Sequence, residues 1–195
     1  MKKSTYKLKS WELALLMALC ITFVVGLWAE RTQSELSAKL VRLHVIAASD
    51  SEADQAAKLR MRDEVLNILS PALSRCTTQA EAAALIREHT PELEALGDVT
   101  ITLTEEYYPT RHYDTFSLPA GDYLSLQIKM EEARGQNWWC VVFPPLCTEA
   151  VAEPARDAFY ALTDEETGLI TGQSGSYVLR FRVVEWWNKC KNALS

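Results

Sequence analysis

A histidine, a serine and an aspartate lie close together in the sequence, and these residue types form the triad of many hydrolases. His44 comes shortly before Ser49 and Asp50. In a triad the histidine takes the proton of the serine hydroxyl, and the carboxylate orients the histidine. Triads depend on geometry, and nothing in the sequence places Ser49 within reach of His44. A hydrolase with its site near His44 is therefore the alternative hypothesis and not the first one.

Other patterns with a known catalytic mechanism are missing from the chain. It has no H-E-x-x-H, no G-x-S-x-G, no Walker loop and no G-x-G-x-x-G. The glycine-rich segment 168–175 has no lysine after it to reach a phosphate, so we expect a connecting loop. The glutamate pairs at 105–106, 131–132 and 165–166 would, on a strand, point to opposite faces and not share a substrate. We expect no catalytic residue, no cofactor, no metal and no small-molecule substrate.

The cysteines leave several pairings open. Cys140 and Cys147 flank the segment VVFPPL, whose two prolines can fold the chain back. A disulfide between them and a pair of buried free thiols both fit this spacing. Cys76 and Cys190 would form a second pair, which no local feature supports. No pair has the C-x-x-C spacing of a zinc or redox site.

Three aromatic pairs stand out, at 107–108, 138–139 and 186–187. On a strand, one member of each pair faces inward and the other outward. The pairs therefore indicate either core residues with covered surface or an exposed aromatic patch for a protein partner, since Tyr and Trp are common at binding hot spots.

Alternation and helical spacing predict the elements that hold these residues. Leu40 to Ala47 alternates as a half-buried strand, with Arg42 and His44 on its polar face. Ser51 and Asp54 resemble a capping box for a helix that runs to about Leu69. Thr78 with Glu81 begins a second helix, Thr90-Pro91 a short third and Pro154 a fourth.

The period then changes from that of a helix to that of a strand. Segments 99–104, 124–130 and 177–183 alternate, and the apolar run 138–143 is typical of a central strand. Helices separate from a run of strands predict an α+β fold with a mainly antiparallel sheet and three or four helices.

The N-terminal thirty residues are typical of an export signal. Four lysines precede Leu13 to Ala29, a run of 17 residues without a charge. At about 1.5 Å per residue this run covers roughly 25 Å, which lies between a signal-peptide core and a full membrane span. Trp11 and Trp28 flank it as interface anchors do, and Leu27 makes a poor cleavage site after Ala29. These features favour an uncleaved anchor, with a cleaved signal peptide or a buried core helix as alternatives.

The basic flank predicts that the N-terminus stays in the cytoplasm and that the rest of the chain lies outside. That rest has a net charge of −8, which excludes nucleic acid and an anionic lipid surface as partners and favours a protein. We divide the chain into a signal or anchor at 1–30, a polar linker or helical stalk at 31–39 and one exported domain at 40–190. We expect the chain to contact the membrane through the segment 13–29.

Three strings in this domain resemble one known family. They are LVRLHVIAASDSEADQAAKLRMR at 40–62, YYPTRHYDTFSLPAGDY at 107–123 and GQNWWCVVFPPLC at 135–147. In this order, after an apolar N-terminal segment, they are similar to stage II sporulation protein R of endospore-forming bacteria. The resemblance covers roughly residues 38–190. One departure is Ala48, where the family pattern has asparagine.

The resemblance implies a signalling function between two cells. The family protein is made in the forespore, crosses its membrane and acts in the space between forespore and mother cell, anchored or secreted. There it activates a membrane-embedded aspartic protease of the mother cell, which removes the pro-sequence of a sporulation sigma factor. A purely structural septal protein is a further alternative.

The resemblance and the exposed-aromatic argument together give the candidate partner-binding residues. We expect the protease to contact exposed members of three segments, and the candidates are His44, Ser49, Asp50, Asp54, Tyr108, Arg111, Trp138 and Trp139.

Overall fold

The computed structural model describes residues 9–113, 116–146 and 160–171. In chain order the elements are α1 (Ser10–Ser37), β1 (Val41–Ile46), α2 (Glu52–Leu73), α3 (Gln79–Glu94), β2 (Val99–Tyr108), β3 (Arg111–His112), β4 (Ser117–Leu118), β5 (Gly121–Met130), β6 (Asn137–Phe143) and α4 (Asp164–Ile170). The helix expected from Pro154 and the strand expected at 177–183 lie outside the described residues, as do Cys147, Cys190 and the tryptophan pair 186–187.

Four strands form one mixed sheet in the order β2-β5-β1-β6. β1 runs parallel to β5, whereas β1 with β6 and β2 with β5 are antiparallel. The predicted α+β class is therefore confirmed. The apolar run expected to be a central strand is β6, which lies at one end of this order within the described part of the chain.

One face of the sheet packs against α2 and α3. The apolar stripe of α2 is buried as its spacing predicts, with Met61, Val65, Leu69 and Leu73 in the core. Alternate residues of β1, β2 and β5 complete this first core. Burial of these side chains stabilises the fold at roughly 25 cal/mol per Å² of apolar area removed from water.

Two helix boundaries differ from the predictions because prolines lie inside helices. The predicted start of a third helix at Thr90-Pro91 is wrong: both residues belong to α3, where the Thr90 hydroxyl donates to the Ile86 carbonyl at 2.9 Å. α2 likewise continues past Pro71 to Leu73. In each case a fully buried leucine beyond the proline, Leu93 or Leu73, keeps the last turn on the core.

The loop expected from Gly168 onward is wrong at its start, because residues 168–170 belong to α4. Thr163 caps this helix, because its hydroxyl accepts from the Glu166 amide and the Glu166 carboxylate accepts from the Thr163 amide in return. Leu169 and Ile170 are buried, which fixes the short helix on the domain. Only residues 168–171 of the predicted loop are described.

A second layer covers part of the opposite face of the sheet. It combines the end of α1, the β3–β4 hairpin and α4. With side chains of the sheet it forms a second core, whose buried members are Leu36, Leu40, Tyr108, Phe116, Leu118, Tyr123, Val141 and Ile170. β1 is consequently buried on both faces and not on one as predicted. Arg42 has no exposed surface and His44 is 5% exposed.

α1 is long and apolar enough to cross a membrane by its length and composition. The helix does not end with the apolar run but continues to Ser37, so the segment predicted as a linker or stalk is helical as far as that residue. Leu36 is fully buried, and the Gln79 side chain donates to the carbonyls of Ser37 and Leu40 at 2.9 and 2.6 Å. The last turns of α1 are thus part of the folded domain.

Gly135 permits a close approach between the β5–β6 connection and the segment after β1. Its amide donates to the Ala47 carbonyl at 2.9 Å, and a Cβ at this position would overlap the Ser49 carbonyl group. We expect Gly135→Ala to lower the free energy of unfolding by about 1–3 kcal/mol, because the backbone has to move apart.

The matched control is Gly168→Ala, since nothing lies within 4 Å of a Cβ there and the residue is helical. This variant is expected to be neutral or slightly stabilising. Denaturant unfolding of the full-length chain in detergent measures both. Equal stabilities for the two variants would contradict the close approach.

Candidate functional site

A polar cluster lies on the second face of the sheet, and we define it as Arg42, His44, Glu106, Tyr108, Arg111, Tyr113, Ser125, Asn137 and Trp139. Strand register explains how these residues meet. Arg42 pairs with Ser125 on β5, and His44 pairs with Trp139 on β6. Side chains two residues apart on one strand share a face, so Glu106 and Tyr108 of β2 point to the same side.

His44 lies in the cluster with both ring nitrogens engaged. Nδ1 is 3.0 Å from Glu106 Oε1, and Nε2 is 2.9 Å from Asn137 Oδ1. A general base needs a free nitrogen within hydrogen-bonding distance of the nucleophile's proton. The Ser49 hydroxyl instead donates to the Asp54 carboxylate. The imagined Ser49–His44 pair is therefore not assembled.

Tyr108 connects the His44–Glu106 pair to the buried Ser125. Its hydroxyl donates to Glu106 Oε2 at 3.0 Å and lies 2.7 Å from the fully buried Ser125 Oγ. Burial is the main cause that raises the pKa of the Tyr108 phenol well above its ordinary value of 10. The phenol is therefore a fixed hydrogen-bonding group.

Arg42 lies beneath this network without any exposed surface. Its guanidinium carbon is 3.9 Å from the centre of the Tyr108 ring and 5.2 Å from that of Tyr123. Nη2 donates to the Tyr113 hydroxyl at 2.6 Å, whereas Nε and Nη1 have no hydrogen-bond partner in the described part of the chain. Contacts between a desolvated cation and an aromatic face are worth about 2 kcal/mol and help to compensate the burial of this charge.

Arg111 forms the partly exposed rim of the cluster. It begins the β3–β4 hairpin, and its guanidinium carbon lies 3.8 Å from the centre of the Trp139 ring. The hairpin itself is held by Tyr113, which stacks on Phe116 at 4.5 Å and accepts the hydrogen bond from Arg42. Burial raises the pKa of the Tyr113 phenol, while Arg42 and Arg111 act in the opposite direction.

The candidates Ser49, Asp50 and Asp54 lie apart from the cluster, around the start of α2. The Ser51 hydroxyl accepts from the Asp54 amide at 3.1 Å and caps the helix. The Asp54 carboxylate accepts from the Ser49 hydroxyl, which is the main cause that lowers its pKa below the ordinary value of 3.8. Behind this loop, burial lowers the pKa of the Lys58 ammonium, although Asp50 acts against that shift. These contacts account for Ser49 and Asp54 structurally.

The aromatic pairs divide between faces as their adjacency predicts. Tyr107 is 49% exposed, whereas Tyr108 is 1% exposed. Trp138 faces the first core, with the Arg62 guanidinium 5.0 Å from its ring centre, and Trp139 faces the polar cluster. The two tryptophans therefore do not form one continuous patch.

Of the eight candidates, the structure brings four together: His44, Tyr108, Arg111 and Trp139. The sequence interpretation missed the other five members of the cluster, which are Arg42, Glu106, Tyr113, Ser125 and Asn137. The alternation of β1, which places Arg42 beside His44, and the i, i+2 spacing of Glu106 and Tyr108 were the available signals. The pairing between strands, which brings these residues together, could not be predicted from the sequence.

The described residues contain no group of three or more His, Cys, Asp or Glu side chains able to hold a metal ion. Cys140 is in a disulfide bond whose other half lies outside the described residues, so the bridge from Cys140 to Cys147 stays a prediction. The second pair suggested for Cys76 is wrong: Cys76 is a free thiol buried in the first core.

The contact between Ser49 and Asp54 predicts a change in carboxylate titration. A carboxylate with a lowered pKa stabilises the fold above pH of about 4, and this contribution disappears as the pH falls through the lowered pKa. Ser49→Ala is expected to return the pKa of Asp54 toward its ordinary value, as measured by NMR titration. The pKa of Glu81, lowered by Thr77, serves as the control and should not move. An unchanged Asp54 pKa would refute the contact.

The Tyr108 hydroxyl predicts an unfolding penalty with a specific pattern. Tyr108→Phe leaves the buried Ser125 hydroxyl without this partner, which costs about 1–3 kcal/mol of stability. Adding Ser125→Ala removes the unpaired hydroxyl and is expected to recover part of that loss. Chemical denaturation of both variants tests this. A double variant less stable than the sum of the two single changes would speak against the buried pair.

Comparison with known proteins identifies the family to which the chain belongs. No solved structure matches the chain. The curated stage II sporulation protein R of Bacillus subtilis (strain 168) is 31% identical over 142 residues, which are 64% of this chain and 63% of that protein. The match thus spans less than two thirds of the length of the relative. The sequence profile of the family called Stage II sporulation protein R matches residues 37–153, from the last residue of α1 through the sheet. The chain belongs to the stage II sporulation protein R family.

Proposed function

We propose that the chain is an exported sporulation signal that activates a membrane-embedded aspartic protease of the mother cell. The activated protease then removes the pro-sequence of a sigma factor. Family membership supports the sporulation part of this proposal. The observation that carries the binding part is the Arg111–Trp139 stack, because both side chains are partly exposed and Trp139 packs on the buried His44 ring. Such a surface suits recognition of a protein more than chemistry on a small molecule.

The hydrogen bonds of His44 also favour a protein that binds a protein partner over an enzyme. Both ring nitrogens of His44 hold partners in the cluster, and the nearby Ser49 hydroxyl is engaged by Asp54. The histidine that would act as the base in a hydrolase here joins side chains of β1, β2 and β6 on one face of the sheet. We therefore assign His44, Glu106 and Asn137 a positioning function beneath the binding surface.

The N-terminal helix supports export across the forespore membrane. Its apolar residues are exposed along one continuous helix, which suits a lipid environment more than water. We propose that the N-terminus faces the forespore cytoplasm and that the domain lies in the space between the two cells. Trp28 marks the outer boundary of the apolar run, close to where α1 joins the domain.

Arg111→Ala is expected to block sigma-factor processing while the domain still folds. The substitution removes the guanidinium from Trp139 but leaves the Arg42–Tyr113 contact that holds the hairpin. The measurement is co-expression of the full-length chain with the candidate protease and its pro-sigma substrate in a non-sporulating host, followed by immunoblotting of the substrate.

Arg87→Ala is the matched control, because Arg87 is an exposed arginine of α3 on the opposite side of the sheet. It should leave processing unchanged. Normal processing with Arg111→Ala would remove Arg111 from the binding surface. No processing with the unchanged chain would contradict the proposed function itself.

A further inference from the structure

The polar cluster holds two arginines within an acidic protein, Arg42 fully buried and Arg111 partly exposed at the rim. The whole chain has a net charge of −6, yet Arg42 and Arg111 both act on the same Tyr113 phenol. The carboxylate that reaches the cluster within the described residues is Glu106, and it is already shared between His44 and Tyr108. Arg111 has no carboxylate partner there.

The geometry of Arg111 leaves its hydrogen-bonding edge available. A guanidinium stacked flat on an aromatic ring contacts the ring with its face, and its N–H groups point outward in the plane. The Nε atom of Arg111 is buried and has no hydrogen-bond partner among the described residues, whereas the residue as a whole is partly exposed. The terminal N–H groups are therefore the part of the guanidinium that a partner can reach. Trp139 in turn is tilted against His44, with ring centres 5.4 Å apart.

Packing beneath the stack holds it in place before any partner binds. Trp139 belongs to the second core, and the hairpin carrying Arg111 is fastened by the Arg42–Tyr113 hydrogen bond. A side chain that is already ordered loses little conformational entropy on binding. A planar group of this kind matches a carboxylate with two parallel hydrogen bonds.

We propose that the Arg111–Trp139 stack binds a carboxylate side chain on the extracytoplasmic part of its protein partner. The proposal rests on the proposed function and names the chemistry of recognition at that site. The excess of acidic residues elsewhere in the exported part repels an acidic segment, so attraction at one point fixes where that segment sits.

Binding measurements between full-length proteins test this. The chain and the candidate protease are placed in separate nanodiscs of phosphatidylcholine, a zwitterionic lipid without net charge. The dissociation constant of their complex is then measured. Arg111→Gln is expected to raise it about 10- to 100-fold, since a charge-assisted hydrogen-bonded pair is lost. Arg111→Lys keeps the charge without the planar fork and should lie between the two. Arg87→Gln should bind like the unchanged chain.

The carboxylate is then located on the other side of the interface. Each Asp and Glu in the extracytoplasmic segments of the protease is changed to its amide. One of these changes is expected to weaken binding as much as Arg111→Gln does and to add nothing when combined with it. The single protease variants are measured with the unchanged chain, so the absence of any sensitive carboxylate overturns the proposal even if an Arg111 variant fails to fold.

The possible results separate the two proposals. Unchanged affinity for Arg111→Gln, or no sensitive carboxylate on the protease, would overturn the carboxylate site while the signalling function stands. A chain that does not bind the protease at all would overturn the function. Binding to phosphatidylglycerol vesicles that Arg111→Gln abolishes, with protease binding unaffected, would assign the stack to a lipid headgroup and also overturn this proposal.

Discussion

The buried guanidinium of Arg42 is the constraint on which the second face of the sheet depends. Removing a charge from water without an opposite charge costs several kcal/mol, so its surroundings have to compensate. Tyr108, Tyr123 and Tyr113 supply two ring faces and one hydroxyl, and they come from β2, β5 and the hairpin segment. One side chain of β1 therefore determines where three other parts of the chain lie. The Arg42–Tyr113 hydrogen bond also holds the hairpin that carries Arg111, and it thereby keeps Arg111 beside Trp139.

Much of the fold could be predicted from the sequence because local signals were strong. The stripe ending at Leu73, the capping box at Thr78 and Glu81 and the alternation from Val99 onward all correspond to observed elements. The prediction at Thr90-Pro91 was wrong because a buried residue further along outweighs the loss of one helical hydrogen bond. Local propensity describes the cost of the proline but not the gain from burying Leu93.

The polar cluster was harder to predict because it depends on pairing between distant strands. Alternation placed Arg42 and His44 on one face, and that face was interpreted as solvated because its side chains are polar. The second layer, in which Leu36, Phe116 and Ile170 come from separate parts of the chain, reverses that interpretation. A buried polar residue needs partners, and the sequence alone does not reveal which strand supplies them.

The unbroken course of α1 into the domain has a mechanical consequence. While the helix stays attached, no flexible joint separates the apolar run from the buried Leu36, and the distance from Trp28 to Ser37 along the axis is about 14 Å. The domain therefore cannot swing freely on a tether. With α1 anchored in a membrane as proposed, the domain would move with the helix and keep one orientation as it diffuses in the membrane plane. The proposed encounter with a partner in a facing membrane would then be a two-dimensional search, in which the width of the gap and the rotation of one helix decide whether the surfaces meet.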